Sequence, residues 1–238
     1  MTAAVVVAAG RGSRVGGTPK QFRDLGGVPL VAWACTALRR HPAVEHVVLC
    51  VPPDAAASPP EALRALADII VPGGGSRRES VDLGLAAVPP AARRVLVHDG
   101  ARPFLAADLV DRLVAALEAG PGAVVPAVPP VDTVKVVDPA GWVVATPERR
   151  SLRCVQTPQA FDAALLRRLH AAAREAGTEA SDDAGLAELA GEPVRVVEGD
   201  VRNVKITSAR DLSFARWWVE SGGAAAAGFV APPAAGGP

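Results

Sequence analysis

The feature that most narrows the fold of this chain is the alternation of short apolar runs with helical stretches along its first 128 residues. Residues 3–8 (AAVVVA), 44–51 (VEHVVLCV), 69–72 (IIVP), 94–98 (RVLVH) and 122–128 (GAVVPAV) are apolar or nearly so, as strands buried on both faces must be. Residues 29–40, 60–68, 77–87 and 106–119 carry helical spacing between them, with Pro29 suited to a first turn and Gly120 to a stop. This rhythm predicts an α/β fold: a mostly parallel sheet with helices on both faces. It breaks at residues 131–146 (VDTVKVVDPAGWVVAT), two β-rich runs about a DPAG turn, which predicts a β-hairpin arm protruding within residues 129–151. A strand is expected again at 152–157 and 194–198 and helices at 162–175 and 208–220, while Ser181-Asp182-Asp183 reads as a helix start. One domain is expected over residues 1–220, followed by a disordered Ala/Gly/Pro-rich tail over residues 221–238.

At 238 residues and 50% hydrophobic content the chain can fill one sizeable core. Its formal net charge of zero excludes bulk electrostatic attraction to nucleic acid or an anionic membrane, so any anion must be held by locally placed groups. No long uncharged apolar stretch or basic-then-apolar leader is evident, which points to a cytoplasmic protein. Cys35, Cys50 and Cys154 are expected to be small buried residues in a reducing compartment, and the four histidines lack metal-ligand spacing. Of 25 basic residues only Lys20, Lys135 and Lys205 are lysines. In a chain that otherwise uses arginine, a lysine suggests a place for a compact point charge.

Four loops follow predicted strands, at residues 9–21, 73–80, 99–105 and 203–207. The carboxyl ends of parallel strands share one sheet edge, where ligands bind, so Lys20, the triple glycine 73–75, Asp99, Arg102 and Lys205 are expected to meet there. The first loop, AAGRGSRVGGTPKQ, combines glycines with Arg11, Arg14 and Lys20, a composition suited to an anion. It is neither a dinucleotide fingerprint, since Val15 stands where the third glycine belongs, nor a P-loop, since Thr18 occupies the lysine position.

The pattern AAGRGSR, five residues, then PKQ resembles the nucleotide loop of sugar-phosphate nucleotidyltransferases. With GGGSRRESV (73–81), VHDGARP (97–103), DTVK (132–135), QTPQ (156–159) and GDVRNVKIT (199–207), the chain is similar from residue 4 to about 218 to the 2-C-methyl-D-erythritol 4-phosphate cytidylyltransferases of the non-mevalonate isoprenoid pathway. The resemblance implies a Rossmann-like sheet and transfer of CMP from CTP to a sugar-alcohol phosphate. It implies that the backbone of Ala8, Ala9, Gly10 and Gly12 cradles the triphosphate, and that Arg14, Lys20 and Lys205 serve the reacting phosphate. Gly74 and Ser80 match positions that contact base and ribose, and Asp99 matches the carboxylate that holds Mg²⁺ or another divalent cation. Arg102, Thr133, Arg149 and Thr157 match residues that hold the sugar phosphate, with Arg149 preferred to Arg150 on its distance from Thr157. The resemblance also implies a homodimer that the hairpin reaches across, so that Thr133 and Arg149 serve the neighbouring site; Asp132 and Lys135 either orient the arm or are structural. Gly75 departs from the pattern, because some relatives carry an acidic residue there, which moves or removes one contact to the base.

Two other readings stand beside this one. A ribitol-5-phosphate cytidylyltransferase shares the CTP loops, and a regulatory module would bind CTP without releasing pyrophosphate.

Overall fold

The computed structural model describes residues 1–10, 19–120 and 122–233. In chain order, β1 (Thr2–Val7) is followed by a 3-10 turn at Lys20–Phe22, a small hairpin of β2 (Asp24–Leu25) and β3 (Val28–Pro29), and α1 (Leu30–Arg40). Next come β4 (His46–Val51), α2 (Pro53–Ala57), α3 (Glu61–Arg64), β5 (Ile69–Pro72), α4 (Arg77–Ala87), β6 (Arg94–Asp99), α5 (Ala107–Glu118) and β7 (Ala123–Val128). The arm carries β8 (Val136–Val137) and β9 (Val143–Ala145). The chain then returns through β10 (Cys154–Val155), β11 (Gln159–Asp162), α6 (Ala163–Ala176), α7 (Asp183–Leu189), β12 (Val194–Glu198), α8 (Ala209–Glu220) and α9 (Gly223–Ala226).

Eight strands form one sheet, in which β6, β1, β4 and β5 lie side by side and parallel. Beyond β6 comes β11 and then β7, which has β11 and β10 along one side and the parallel β12 along the other. Among the described residues, only β10 and β11 run antiparallel in this sheet. The reason lies in the connection: no crossover helix separates β7 from β10, so the chain comes back from the arm in the opposite direction. The mostly parallel α/β architecture read from the sequence is the one observed.

Period-two alternation sends each central strand into two cores. Ala4, Val6, Val47, Leu49 and Leu96 face the cluster that contains α1, α5 and α8, while Ala3, Val5, Val48, Cys50, Val95 and Val97 face the one containing α4, α6 and α7. Both faces are covered, which is why these strands read as unbroken apolar runs. Helix α4 approaches the sheet at Gly84. A Cβ there would stand 2.6 Å from Val5 Cγ1 and 2.7 Å from Cys50 Sγ. The Cys50 thiol also donates to the Ser80 carbonyl at 3.2 Å, one turn earlier on the same helix.

Some expectations are corrected. The tail is not disordered from residue 221: α9 turns the chain back, and Phe229 is buried. Alanine, glycine and proline dominate this stretch, but one aromatic residue provides the anchor that composition conceals; residues 234–238 lie outside the described residues. Cys35 and Cys50 are buried, and burial pushes both thiols up to about 12, whereas Cys154 is exposed on β10 at the base of the arm. Strand β11 and the short helix α2 were not anticipated, because Gln159 and the prolines around residue 53 mask them. The helix expected over 60–68 forms only at Glu61–Arg64.

Gly84→Val is expected to lower the unfolding free energy by ~1–3 kcal/mol, since the added carbons overpack the helix–sheet contact. A lower urea midpoint at unchanged denaturant slope would show this.

Candidate active site

The tips of β1, β5 and β6 meet at one edge of the sheet and wall a cavity of about 710 Å³. Ala8, Ala9 and Gly10 leave β1, Gly73–Arg77 leave β5, Asp99 ends β6, and Lys20 and Lys205 enter from neighbouring loops. Two of the three lysines therefore line the same cavity, as their scarcity suggested. Gly73 lets two loops touch: a Cβ there would fall 2.1 Å from that of Ala9. Buried Gln21 ties the first loop down, its side-chain amide donating to the carbonyls of Ala8 and Gly10 at 2.5 and 2.6 Å.

A line of alternating charge runs from this cavity into the protein. Lys205 Nζ lies 2.7 Å from Asp99 Oδ2, Arg77 Nε donates to Asp99 Oδ1 at 3.3 Å, and Arg77 Nη1 donates to Asp183 Oδ2 at 2.7 Å. His170 Nε2 closes the line 3.0 Å from Asp183 Oδ1, with both residues buried. Burial raises the Asp99 carboxyl, but Arg77 and Lys205 more than offset that and hold it far below the usual carboxylate range. Asp183 is likewise lowered: burial opposes ionisation, and Arg77 and His170 overcome it. Burial weakens the Arg77 proton and the two aspartates restore it, leaving the guanidinium more basic than usual. Arg77 heads α4 directly after Ser76, whose hydroxyl accepts the Glu79 amide and caps the helix.

Beneath Asp99 lies a buried hydrogen-bonded network. The Asp99 amide donates to Thr157 Oγ1 at 3.0 Å, and Thr157 Oγ1 lies 3.1 Å from His98 Nδ1. The Arg102 carbonyl can only accept, so His98 Nε2 carries the proton and donates to it at 3.2 Å, which leaves Nδ1 to accept from the Thr157 hydroxyl. Arg102 Nη1 donates to the Asn203 carbonyl at 2.8 Å, and Asn203 Nδ2 donates to the Thr157 carbonyl at 2.7 Å. Burial disfavours the charge on Arg102, with Asp99 acting against that and Arg77 adding to it.

The sequence-expected residues thus separate into groups. Ala8, Ala9, Gly10, Lys20, Gly74, Ser80, Asp99 and Lys205 line one cavity. Ser80 is nonetheless 2% exposed, and its hydroxyl donates to the Ser76 carbonyl and accepts the Gly74 amide, so it shapes the glycine loop. Arg102 and Thr157 are buried behind the cavity wall. Thr133 and Arg149 stand on the exposed arm, where Arg149 Nη1 donates to the Val131 carbonyl at 3.0 Å. Gly12 and Arg14 lie outside the described residues. At the departure from the pattern, Glu79 Oε2 accepts the Gly75 amide at 2.7 Å and sits 3.3 Å from where a Gly75 Cβ would be.

Arg77, His98, Asp183 and Gln21 were missed. Arg77 offered a signal, as the first helical residue after a glycine-rich strand exit; its partner Asp183 offered none, being 106 residues away. Asp99 is the one acidic side chain among the described residues lining the cavity, and no cluster of three potential metal-ligating side chains occurs among the described residues. That donor set does not suit a metal held wholly by protein. It suits a hard cation that takes one carboxylate and completes its shell with water and phosphate oxygens.

Burial pushes the His98 imidazole down to about 4, with Asp99 opposing. Between that value and the ordinary ~6.5 the unfolded chain binds more protons than the native one, so stability rises with pH across the window. The contribution is complete above about pH 6.5 and lost as the pH falls toward 4, amounting to ~3 kcal/mol. Urea unfolding across pH 4–7 should show this loss, and His98→Gln should flatten it.

The chain was compared with known proteins. A family model for IspD, 2-C-methyl-D-erythritol 4-phosphate cytidylyltransferase, matches residues 2–221. The enzyme of that name from Streptomyces coelicolor is 47% identical over 227 residues, covering 90% of this chain and 83% of the relative. Its namesake from Nocardia farcinica is 47% identical over 219 residues, covering 89% and 91%. The crystal structure of the Thermus thermophilus enzyme superimposes with a TM-score of 0.76 at 38% identity, covering 91% of this chain and 98% of the other. Fold and sequence agree, and the chain belongs to the 2-C-methyl-D-erythritol 4-phosphate cytidylyltransferase family.

Proposed function

We propose that the protein transfers CMP from CTP to 2-C-methyl-D-erythritol 4-phosphate, yielding 4-diphosphocytidyl-2-C-methyl-D-erythritol and pyrophosphate. The observation that carries this reading is the convergence of Lys20, Lys205 and Asp99 on a cavity walled by strand-end backbone and glycines. A phosphate oxygen of the polyol attacks the α-phosphorus, and the bond to the pyrophosphate oxygen breaks. The reaction asks for positioning and charge stabilisation rather than a protein nucleophile. Ala8, Ala9 and Gly10 offer backbone at close range. The ammonium groups of Lys20 and Lys205 face the charge that builds up on the phosphates, and the family resemblance gives Arg14 the same charge-stabilising role. Gly74 and the Ser80-braced loop receive the base and ribose. Asp99 would hold Mg²⁺ or another divalent cation, which when bound neutralises phosphate oxygens.

The arm supports a homodimer. Trp142 is 75% and Val131 87% exposed, and Val136, Val137, Val143 and Val144 are exposed beside them. Such a surface calls for a covering partner. In a dimer with a crossing arm, Thr133 and Arg149 would reach the neighbour's sugar phosphate, while Arg102 and Thr157 brace the site from within their own subunit.

The test is an assay of pyrophosphate release from CTP with each polyol phosphate. Turnover with methylerythritol phosphate is expected. Turnover only with ribitol phosphate would replace the substrate, and CTP binding without release would make the protein a non-catalytic binder. Lys20→Ala should lower kcat by ~10²–10³, and Arg149→Ala should raise KM for the polyol phosphate. Mixing these two impaired variants should restore part of the activity if sites are shared across the dimer, and no recovery would count against the crossing arm.

A further inference from the structure

The chain continues past residue 221, where the family match ends, into a segment with a specific seat. Gly222 and Gly228 take left-handed conformations, with φ of 78° and 84°, and turn the chain around α9 so that Phe229 faces inward. Its ring centroid lies 5.5 Å from that of Phe104 and 5.6 Å from that of Trp218, and the guanidinium carbon of Arg202 stands 5.3 Å from the same centroid. Phe104 and Trp218 also meet each other edge-on at 4.6 Å.

Phe104 and Arg202 belong to the two segments that deliver charge to the cavity. Phe104 follows Asp99 and Arg102 in one; Arg202 precedes Asn203 and Lys205 in the other. Neither segment, residues 101–106 or 199–207, has the repeating hydrogen bonds of a helix or sheet. Their positions rest on individual contacts: the Ile206 amide donates to the Ala101 carbonyl at 2.8 Å, and Arg202 grips both Asp200 oxygens, at 2.9 and 2.7 Å. Arg202 Nη1 also reaches the Ala227 carbonyl at 3.4 Å. Remove the Phe229 ring, and Phe104 and Arg202 lose the body that lies between them.

We infer that Phe229 is a positioning residue for the nucleotidyl transfer: it fastens the segment that follows Asp99 to the segment bearing Lys205 and so holds the ammonium at its distance from the carboxylate. The catalytic consequence rests on the function proposed above; the fastening itself does not.

The experiment uses the full-length protein at 20 °C, comparing wild type with Phe229→Ala, Phe229→Leu and Gly223→Ala. The last variant disturbs the same seat from another side, because a Cβ at residue 223 would stand 2.4 Å from Trp218 Cδ1. Phe229→Ala is expected to keep the wild-type far-ultraviolet spectrum, lose about tenfold in kcat with KM for CTP nearly unchanged, and speed amide exchange about tenfold in peptides covering 100–106 and 200–206. Exchange in β1 and β4 should not change, Phe229→Leu should recover most of the kcat, and Gly223→Ala should show the same pattern of exchange. Faster exchange confined to residues 222–233, with kcat at the wild-type value, would overturn the inference. If Phe229→Ala fails to fold, the exchange pattern of Gly223→Ala decides. If the wild type releases no pyrophosphate from CTP, the transferase reading falls, and exchange in the two segments still decides whether Phe229 fastens them.

Discussion

The carboxylate of Asp99, wedged between Arg77 and Lys205, is the contact on which the site depends. A buried carboxylate is costly unless it is paired, and here the pairing is extended, because Arg77 needs Asp183 and Asp183 takes His170. The chain of ion pairs, extended by the His170 hydrogen bond, joins the end of β6 to the first turn of α4, the start of α7 and the middle of α6. Elements distant in sequence are thereby held in fixed relation at the cavity. Lys205 is the exposed end of the line, with 41% of its side chain accessible, and can therefore face an incoming anion while its interior partners stay in place.

A second layer explains why the residues behind the wall are polar yet uncharged or singly charged. Thr157, His98, Asn203 and the Arg102 backbone hydrogen-bond to one another, which holds the Asp99 backbone from below. The three glutamines act similarly: Gln21 holds the first loop, Gln156 bonds the Asp200 backbone, and Gln159 accepts the amides of Asp183 and Ala184. Each is a buried side-chain amide that bonds backbone groups of a neighbouring segment.

The sequence revealed the fold because strands covered on both faces must be apolar without interruption, so β1, β4, β6 and β7 announced themselves. The same logic failed for β11, whose Gln159 is recruited by α7, and for the tail, where a single phenylalanine outweighs a composition suited to disorder. At the site, residues attached to strand exits were legible, since parallel strands bring their exits together; Lys20, Asp99 and Lys205 followed from that rule. Supporting residues were not, because Arg77 with Asp183 and His98 with Thr157 are pairs formed by tertiary packing between segments far apart in the chain. Resemblance gave Ser80 and Thr157 ligand roles, and their hydroxyls turn out to be engaged by neighbouring protein groups.

The contact at Gly84 has a further meaning for the cavity. Helix α4 rests on Val5 and Cys50 there, and the same rigid rod begins at Arg77 and carries Ser80, which braces the glycine loop. A single absent methyl group thus acts as a shim in reverse. It sets how deeply the rod beds into the sheet, and through that the height of the cavity floor, without itself lining the cavity.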